Sequence, residues 1–185
     1  MCGWGTLPAR GEMADEATLK SAGIRRLQSR HLTLYTDLPA DPSVDELPHV
    51  FDQAIPQWSK FFGARKGDFE NWRVTACVMQ DKNRFKSYGL LPSDIPPFLY
   101  GFQKFDSIWV LEQPSAYYRR HLLLHEGTHA AMNQIFGRVG PGWYREGVAE
   151  VLGTHHYDGG KLTMGYFPRD KKEVELCGRV KVCLL

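Results

Sequence analysis

Two histidines and a glutamate stand close together in the run His125-Glu126-Gly127-Thr128-His129. On an α-helix, residues four apart lie about 40° apart around the axis and roughly 6 Å apart along it, so His125 and His129 project from one face. Two imidazoles placed in this way can bind one metal ion. Glu126 projects beside them, where its carboxylate can act on a water that the metal activates. This spacing is typical of a zinc hydrolase.

A second run, WYREGVAE at residues 143–150, supplies two further carboxylates, Glu146 and Glu150. Sixteen residues separate His129 from Glu146, which is enough for one helix to end and a second helix to return. Glu146 can then be the third metal ligand. Glu150 lies four residues further on the same face, where it can accept a hydrogen bond from the outer nitrogen of a liganding histidine. Partners of this kind fix the ring orientation and contribute about 10- to 100-fold in affinity or activity.

The runs HEGTHA and WYREGVAE together resemble the gluzincin zinc metallopeptidases, which include the thermolysin-like and aminopeptidase families and several uncharacterised zincin-like domain families. The resemblance covers roughly residues 108–155. In that pattern the two histidines and the first glutamate of the later E-G-x-A segment bind zinc. The resemblance therefore implies the ligands His125, His129 and Glu146, with Glu126 as the general base.

The chain departs from the gluzincin pattern after the second motif. It ends 35 residues beyond Glu150, whereas active members carry more helical structure in this region. This difference favours a substrate cleft that lacks part of the usual helical wall.

Composition sets the broad class. A chain of 185 residues that is 43% hydrophobic and 12% aromatic is suited to one domain with its own core. We expect residues 1–30 to form a poorly ordered N-terminal segment and residues 31–185 to form a single zincin-like metallopeptidase domain. The net charge of +2 and the scattered basic residues predict neither a nucleic-acid partner nor a charged membrane surface.

Targeting signals are absent from the printed sequence. No run approaches 18 apolar residues, so we expect no membrane span, and the N-terminus lacks the apolar segment of a signal peptide. The default expectation is a cytoplasmic protein, or an extracytoplasmic one if the N-terminus is truncated or misassigned. The four cysteines, at positions 2, 77, 177 and 183, show no C-x-x-C spacing. Cys77 is predicted to be a buried thiol, and a Cys177–Cys183 pair is left open.

Periodicity and turn residues predict the elements that must position the site. His31 is predicted to be structural, at the start of a strand that turns Leu32 and Leu34 inward. Ser43 and Glu46 form a capping-box signal for an amphipathic helix that runs to Phe62 and contains Pro56. The remaining predictions are a strand over 73–79, a helix over 82–88 ended by a left-handed Gly89, a hairpin of strands 98–102 and 107–111, and a strand over 161–167.

The second hairpin strand leads directly into the metal helix. The gluzincin resemblance places at this point the edge strand that pairs with an extended peptide. It therefore implies that Ile108–Glu112 aligns the substrate.

The metal helix is predicted to begin after the N-cap Ser115 and to end at Gly137. Its core stripe is Leu124, Thr128, Ala131 and Ile135, while Gly127 and Ala130 are small enough to let another element approach closely. His121 lies four residues before His125, and we expect it to support the site or to lie on the surface, because three histidines on one stripe cannot all join Glu146 around one tetrahedral ion.

The returning helix is predicted over 143–153 with Tyr144, Val148 and Val151 towards the core. Downstream, the candidates for stabilising an oxyanion are His155, His156, Tyr157 and Tyr166, and their spacing does not distinguish between them.

The sequence thus predicts an α+β fold with a small, mostly antiparallel sheet, an H-E-x-x-H helix and a second ligand-bearing helix. The predicted function is a Zn²⁺-dependent hydrolase that cleaves peptide bonds in a peptide or protein substrate, with Glu126 as general base. Two alternatives stay open. One is a catalytically inactive zincin-like binding or structural module, and the other is a metal-dependent hydrolase of a different amide.

Overall fold

A computed structural model describes residues 13–137 and 140–169. In chain order its elements are α1 (Glu16–Ser21), β1 (Arg25–Gln28), β2 (Leu32–Thr36), α2 (Pro42–Asp45), α3 (Leu47–Phe62), β3 (Val74–Met79), α4 (Lys82–Ser87), β4 (Gly101–Lys104), β5 (Ser107–Leu111), α5 (Ala116–Phe136), α6 (Gly142–Gly153), β6 (His155–Asp158) and β7 (Lys161–Met164).

Five strands form the main sheet in the order β1-β2-β3-β5-β4, and β6 pairs with β7 in a separate hairpin. The two central pairings, β2 with β3 and β3 with β5, are parallel. The other three of the five pairings are antiparallel. The prediction of an α+β fold with a small, mostly antiparallel sheet is confirmed at this level.

Side-chain alternation along the central strands gives the sheet two buried faces. Leu34, Ala76 and Ile108 lie side by side across three strands and belong to a core cluster that includes residues of α3 and α5. Their neighbours Tyr35, Cys77 and Trp109 belong to a second cluster with Leu19, Phe85 and the segment after α4. The helices α5 and α6, which carry the two predicted site motifs, therefore lie on the same side of the sheet as the first cluster.

Several local predictions are confirmed. Leu32 and Leu34 are buried in β2, and the ring of His31 is buried with Nδ1 3.0 Å from the carbonyl oxygen of Trp72. Gly89 has a φ of 75°, which lies in the left-handed region. The Cys77 side chain is buried, and burial raises the pKa of its thiol.

The prediction of poor order up to residue 30 was wrong for residues 13–30. These residues form α1 and β1, and β1 pairs with β2 at the edge of the sheet. Burial of Leu19 and Ile24 in the second cluster explains why this segment joins the fold. Residues 1–12, including Cys2, lie outside the described residues.

The start of the amphipathic helix also differs from the prediction. Asp41, and not Ser43, caps α2: its side chain accepts a hydrogen bond from the Ser43 backbone N–H at 2.8 Å. A separate helix, α3, begins at Leu47 and contains Pro56. The Ser43 hydroxyl instead donates to the Asp41 carboxylate at 2.5 Å. The N-cap residue therefore lies two residues earlier in the chain than the capping-box motif predicted.

The predicted hairpin is present with its first strand shifted along the chain, and the last predicted strand is shorter than predicted. β4 begins at Gly101, and the turn to β5 is made by Phe105, at a φ of 53°, and Asp106. The predicted strand over 161–167 ends at Met164 and pairs with β6, which the sequence did not predict. The charged tail with Cys177 and Cys183 lies outside the described residues. Within the described ranges, no helix is both long and apolar enough to cross a bilayer.

Candidate metal centre

The back of α5 is fixed against α3 by close packing. A Cβ atom on Gly127 would lie 2.8 Å from a ring carbon of Trp58 and 3.0 Å from one of Phe51, so no larger residue fits without movement. The Trp58 indole N–H donates to the Thr128 hydroxyl at 2.9 Å, and that hydroxyl donates to the Leu124 carbonyl at 2.7 Å. The predicted close approach at Gly127 is confirmed, and it sets the rotation of α5.

The opposite face of α5 presents a polar stripe at helical spacing: His121, His125, His129 and Asn133. α6 returns antiparallel along this stripe, since Glu150 near its end contacts His121 while Glu146 near its start contacts His129. The two helices required by the sequence motifs are therefore both present, and their polar faces meet.

Glu146 and two histidines form the first donor group. One Glu146 oxygen, Oε2, lies 3.4 Å from His125 Nε2 and 3.3 Å from His129 Nε2. These distances exceed the common N···O hydrogen-bond range of about 2.7–3.2 Å. Ligand atoms held about 2.0–2.2 Å from a tetrahedral zinc ion are about 3.3–3.6 Å apart. The spacing of the group thus suits a metal ion better than direct hydrogen bonds.

Glu150 forms a second donor group with His121 and His125. Its Oε2 lies 3.3 Å from His121 Nε2 and 3.5 Å from His125 Nδ1. The two groups share His125 through opposite ring nitrogens, and either of them could hold a metal ion. An ion bound in the first group would leave Glu150 facing the outer nitrogen of His125, which is the position that the sequence predicted for it.

The two donor groups differ in whether they open onto a cavity. A cavity of about 530 Å³ opens on the first group, and neither His121 nor Glu150 lines it. It is lined by Gly101, Phe102, Gln103, Lys104, Phe105, His125, Glu126, His129, Asn133, Gly137, Arg145 and Glu146. Only the first group is therefore open to a substrate through this cavity.

Glu126 lines the same cavity although its side chain is largely buried, with 7% of its surface exposed. A Cβ on Gly101 would collide with the Glu126 carboxylate, whose carbon Cδ would be 3.0 Å away. Glycine at 101 thus lets the β4 backbone approach this side chain closely. Burial raises the pKa of Glu126 to about 7; the charge of His125 opposes this rise and that of Glu146 adds to it. A carboxyl with this pKa can exchange a proton near neutral pH.

The pKa values of His125, His129 and Glu150 are shifted by different causes. Burial lowers the pKa of His125, but contact with Glu150 and the charges of the neighbouring carboxylates outweigh it and raise the pKa overall. Burial lowers the pKa of His129, against the opposing charge of Glu146. Contacts with His121 and then with His125 hold the pKa of Glu150 well below its usual range. Glu150 is therefore the ionised member that both neighbouring rings face.

The donor set fits a divalent ion of zinc type, because two imidazole nitrogens and one carboxylate oxygen with an open position are a common zinc arrangement. The Nδ1 atoms of His121, His125 and His129 are buried and have no hydrogen-bond partner among the described residues. Buried polar atoms without partners are uncommon in native proteins. A metal bound at Nε2 of His125 and His129 would not occupy these Nδ1 atoms, so the fit of the first group rests on its donor types and on their spacing.

The prediction that Ile108–Glu112 is an edge strand was wrong. Ile108–Glu112 corresponds to β5, which is hydrogen-bonded on both sides, by β3 and β4. β4 is the strand at the edge of the sheet, and its residues Gly101–Lys104 line the cavity. The order of strands in space, which the chain order does not reveal, decides this point.

The predicted inner face of α6 was also partly wrong. Tyr144 and Val151 are 46% and 39% exposed, whereas Ala149 and Leu152 are buried and Val148 packs against the core. The interdigitation of Glu146 and Glu150 with the α5 stripe fixes the rotation of α6, and it turns Tyr144 and Val151 outwards.

None of the downstream oxyanion candidates lines the cavity. His155 is buried, with Nδ1 2.9 Å from the Gly153 carbonyl and its ring stacked on Tyr117. Side-chain donors that do line the cavity are Gln103, Lys104, Asn133 and Arg145, which the sequence analysis did not assign to the site. The spacing of four residues from His129 to Asn133 is the one sequence signal that could have indicated Asn133.

Comparisons with protein-family models, curated proteins and solved structures gave no significant match for this chain.

Proposed function

We propose that this protein is a zinc-dependent peptidase whose metal ligands are His125, His129 and Glu146. The observation that carries the proposal is the meeting of these three donors with the buried Glu126 carboxylate in one open cavity. The motif spacing and the paired helices support the same assignment.

Zinc bound by this group would lower the pKa of a water to about 7 and polarise a scissile carbonyl. Glu126 supplies the proton transfer: a carboxylate oxygen takes a proton from the attacking water and later gives it to the leaving amine nitrogen. The β4 backbone at Gly101 lies close to this carboxylate, and both residues line the cavity.

The edge strand β4 aligns the substrate in this proposal. Its partner β5 occupies one edge only, so an extended peptide can add to the other edge through backbone hydrogen bonds. The peptide then crosses the cavity beside His125, Glu126 and His129. This arrangement favours peptide amides over other amides, because small amides gain nothing from strand pairing.

Glu150 has a positioning role. Its ionised carboxylate lies 3.5 Å from the outer nitrogen of His125 and 3.3 Å from His121, so it can orient the His125 ring for the metal. His121 correspondingly supports the site through Glu150 and does not join the ligands.

The direct experiment is chelator-sensitive peptide cleavage. Purified protein reconstituted with one equivalent of zinc is incubated with a broad peptide pool, and the products are identified by mass spectrometry. We expect cleavage that stops when the metal is removed and returns with added zinc. Full zinc occupancy without cleavage of any peptide would instead support the metal-binding module. Cleavage confined to non-peptide amides would support the other hydrolase.

A further inference from the structure

Arg145 is the unusual arginine of this fold. Among the described residues, the arginines that are not exposed are Arg25, Arg84, Arg119, Arg120 and Arg145. Four of them form ion pairs, with Asp45, Asp37, Glu112 and Glu46 respectively. Arg145 is half-buried, yet it forms no ion pair with any carboxylate in the described ranges.

Arg145 lies where its charge can act on a ligand in the cavity. The residue lines the cavity next to Glu146 on α6 and contacts Asn133, which lies one turn beyond His129 on α5. Within residues 13–137 and 140–169, its Nη2 makes one long contact, 3.4 Å, with the Asn133 side-chain oxygen. Asn133 in turn donates to Gln103 on β4 at 3.0 Å. Among the described residues the guanidinium thus contacts a neutral amide, and no carboxylate pairs with it where it lines the cavity.

The other cation of the cavity wall is already neutralised. Lys104 Nζ lies 2.6 Å from Asp94 and forms an ion pair with it. The two carboxylates of the wall are Glu126 and Glu146, and the second of these is the proposed metal ligand. Arg145 therefore carries the unpaired positive charge on the described wall.

We infer that Arg145 forms a subsite for a carboxylate group of the peptide substrate. A guanidinium binds a carboxylate through two parallel charge-assisted hydrogen bonds, which a neutral amide cannot reproduce. The carboxylate can come from the C-terminus of the substrate or from an Asp or Glu side chain. This inference rests on the proposed peptidase function, because it names the class of peptide that the same cavity takes.

Binding to a turnover-blocked protein tests the subsite without relying on activity. Zinc-loaded Glu126→Gln protein is titrated calorimetrically with four matched peptides: neutral with a C-terminal amide, the same peptide with a free C-terminal carboxylate, and amidated versions with Glu or with Gln at an internal position. We expect one of the two carboxylate peptides to bind roughly 10- to 100-fold more tightly than its neutral match. Which of the two it is identifies the source of the carboxylate.

Substitution then assigns the preference to Arg145. In Glu126→Gln/Arg145→Gln protein we expect the acid-to-neutral ratio to fall close to one, with neutral peptides bound as before. Glu126→Gln/Arg73→Gln is the charge-matched control, because Arg73 is exposed and does not line the cavity. It should keep the full preference.

Two results would overturn the subsite. Equal binding of acidic and neutral peptides would show that no carboxylate is recognised, and a preference that survives Arg145→Gln would assign it to the metal or to another residue. The proposed function is tested separately by cleavage of the neutral peptide with wild-type protein. Cleavage without carboxylate preference would reject the subsite alone, whereas carboxylate binding without any cleavage would reject the peptidase function.

Discussion

The two faces of α5 treat polar groups in opposite ways. On the back, the Thr128 hydroxyl both accepts from Trp58 and donates to Leu124, so its hydrogen-bonding capacity is used within the chain. On the front, the buried Nδ1 atoms of His121, His125 and His129 have no hydrogen-bond partner among the described residues. Thr128 on the back is 0% exposed, and His121 and His129 on the front are 8% and 7% exposed, so burial alone does not separate structure from function. What separates them is whether the buried polar groups are already satisfied.

Substitutions on the two faces of α5 should therefore have different effects. Changes on the front face should alter metal binding or turnover and leave the stability of the metal-free protein nearly unchanged. Changes on the back face should alter stability and leave metal stoichiometry unchanged.

The largest effect concerns a metal ligand. His129→Ala should abolish stoichiometric zinc, because it removes one of only three protein donors. His121→Ala should retain about one zinc per chain, since His121 belongs only to the second donor group. Zinc is measured by elemental analysis after dialysis. The reverse pattern, with zinc lost in His121→Ala and kept in His129→Ala, would place the ion at Glu150 and reject the proposed ligands.

A smaller effect is expected for the general base. Glu126→Gln keeps the size of the side chain but removes the base, so turnover should fall by about 10² to 10⁴-fold. Zinc content and thermal stability should stay near wild type. The measurement is kcat on the cleaved peptide, with zinc content determined on the same sample. A variant that cleaves at the wild-type rate would show that Glu126 is not the base.

Removal of the Glu150 carboxylate should act through the ligand that it faces. Glu150→Ala should weaken zinc by about 10- to 100-fold, as the loss of such partners does, while the fold is retained. Competition with a chelator of known affinity gives the value. Glu16→Ala, at an exposed position of α1, serves as a matched control. An affinity equal to that of the control would mean that Glu150 does not orient His125.

The smallest effect is expected on the back face. Gly127→Ala should lower the free energy of unfolding, because crowding against Trp58 and Phe51 costs about 1–3 kcal/mol and outweighs a helix-propensity gain of about 1 kcal/mol. Urea denaturation in the presence of chelator measures it. Gly147→Ala, in α6 with nothing within 4 Å, should stabilise by up to about 1 kcal/mol. Equal shifts for both variants would remove the packing argument for Gly127.

The site residues that depend on spacing within one helix could be predicted from the sequence. His125, Glu126 and His129 follow from helical periodicity, and Glu146 and Glu150 follow from a second helix of the same kind. Both helices are confirmed, and the structure brings their side chains together; the metal, the activity and the gluzincin resemblance stay predictions.

The parts that depend on spatial neighbours could not be read from the chain. β4 precedes β5 in sequence but lies outside it in the sheet, so the edge strand was misassigned. Gly101 and Gln103 come to the site through this strand, and Arg145 comes through the rotation of α6. Hydrophobic pattern alone placed Tyr144 and Val151 inwards, whereas packing against the α5 stripe exposes them.

The position of the bound ion tests the proposed ligands His125, His129 and Glu146 most directly. Crystals of the zinc-loaded protein measured at the zinc absorption edge would locate the ion by its anomalous scattering. We expect one peak within about 2.0–2.2 Å of His125 Nε2, His129 Nε2 and a Glu146 oxygen, open to the cavity that Glu126 lines. A single peak between His121, His125 Nδ1 and Glu150, or no peak on the α5 stripe, would contradict it.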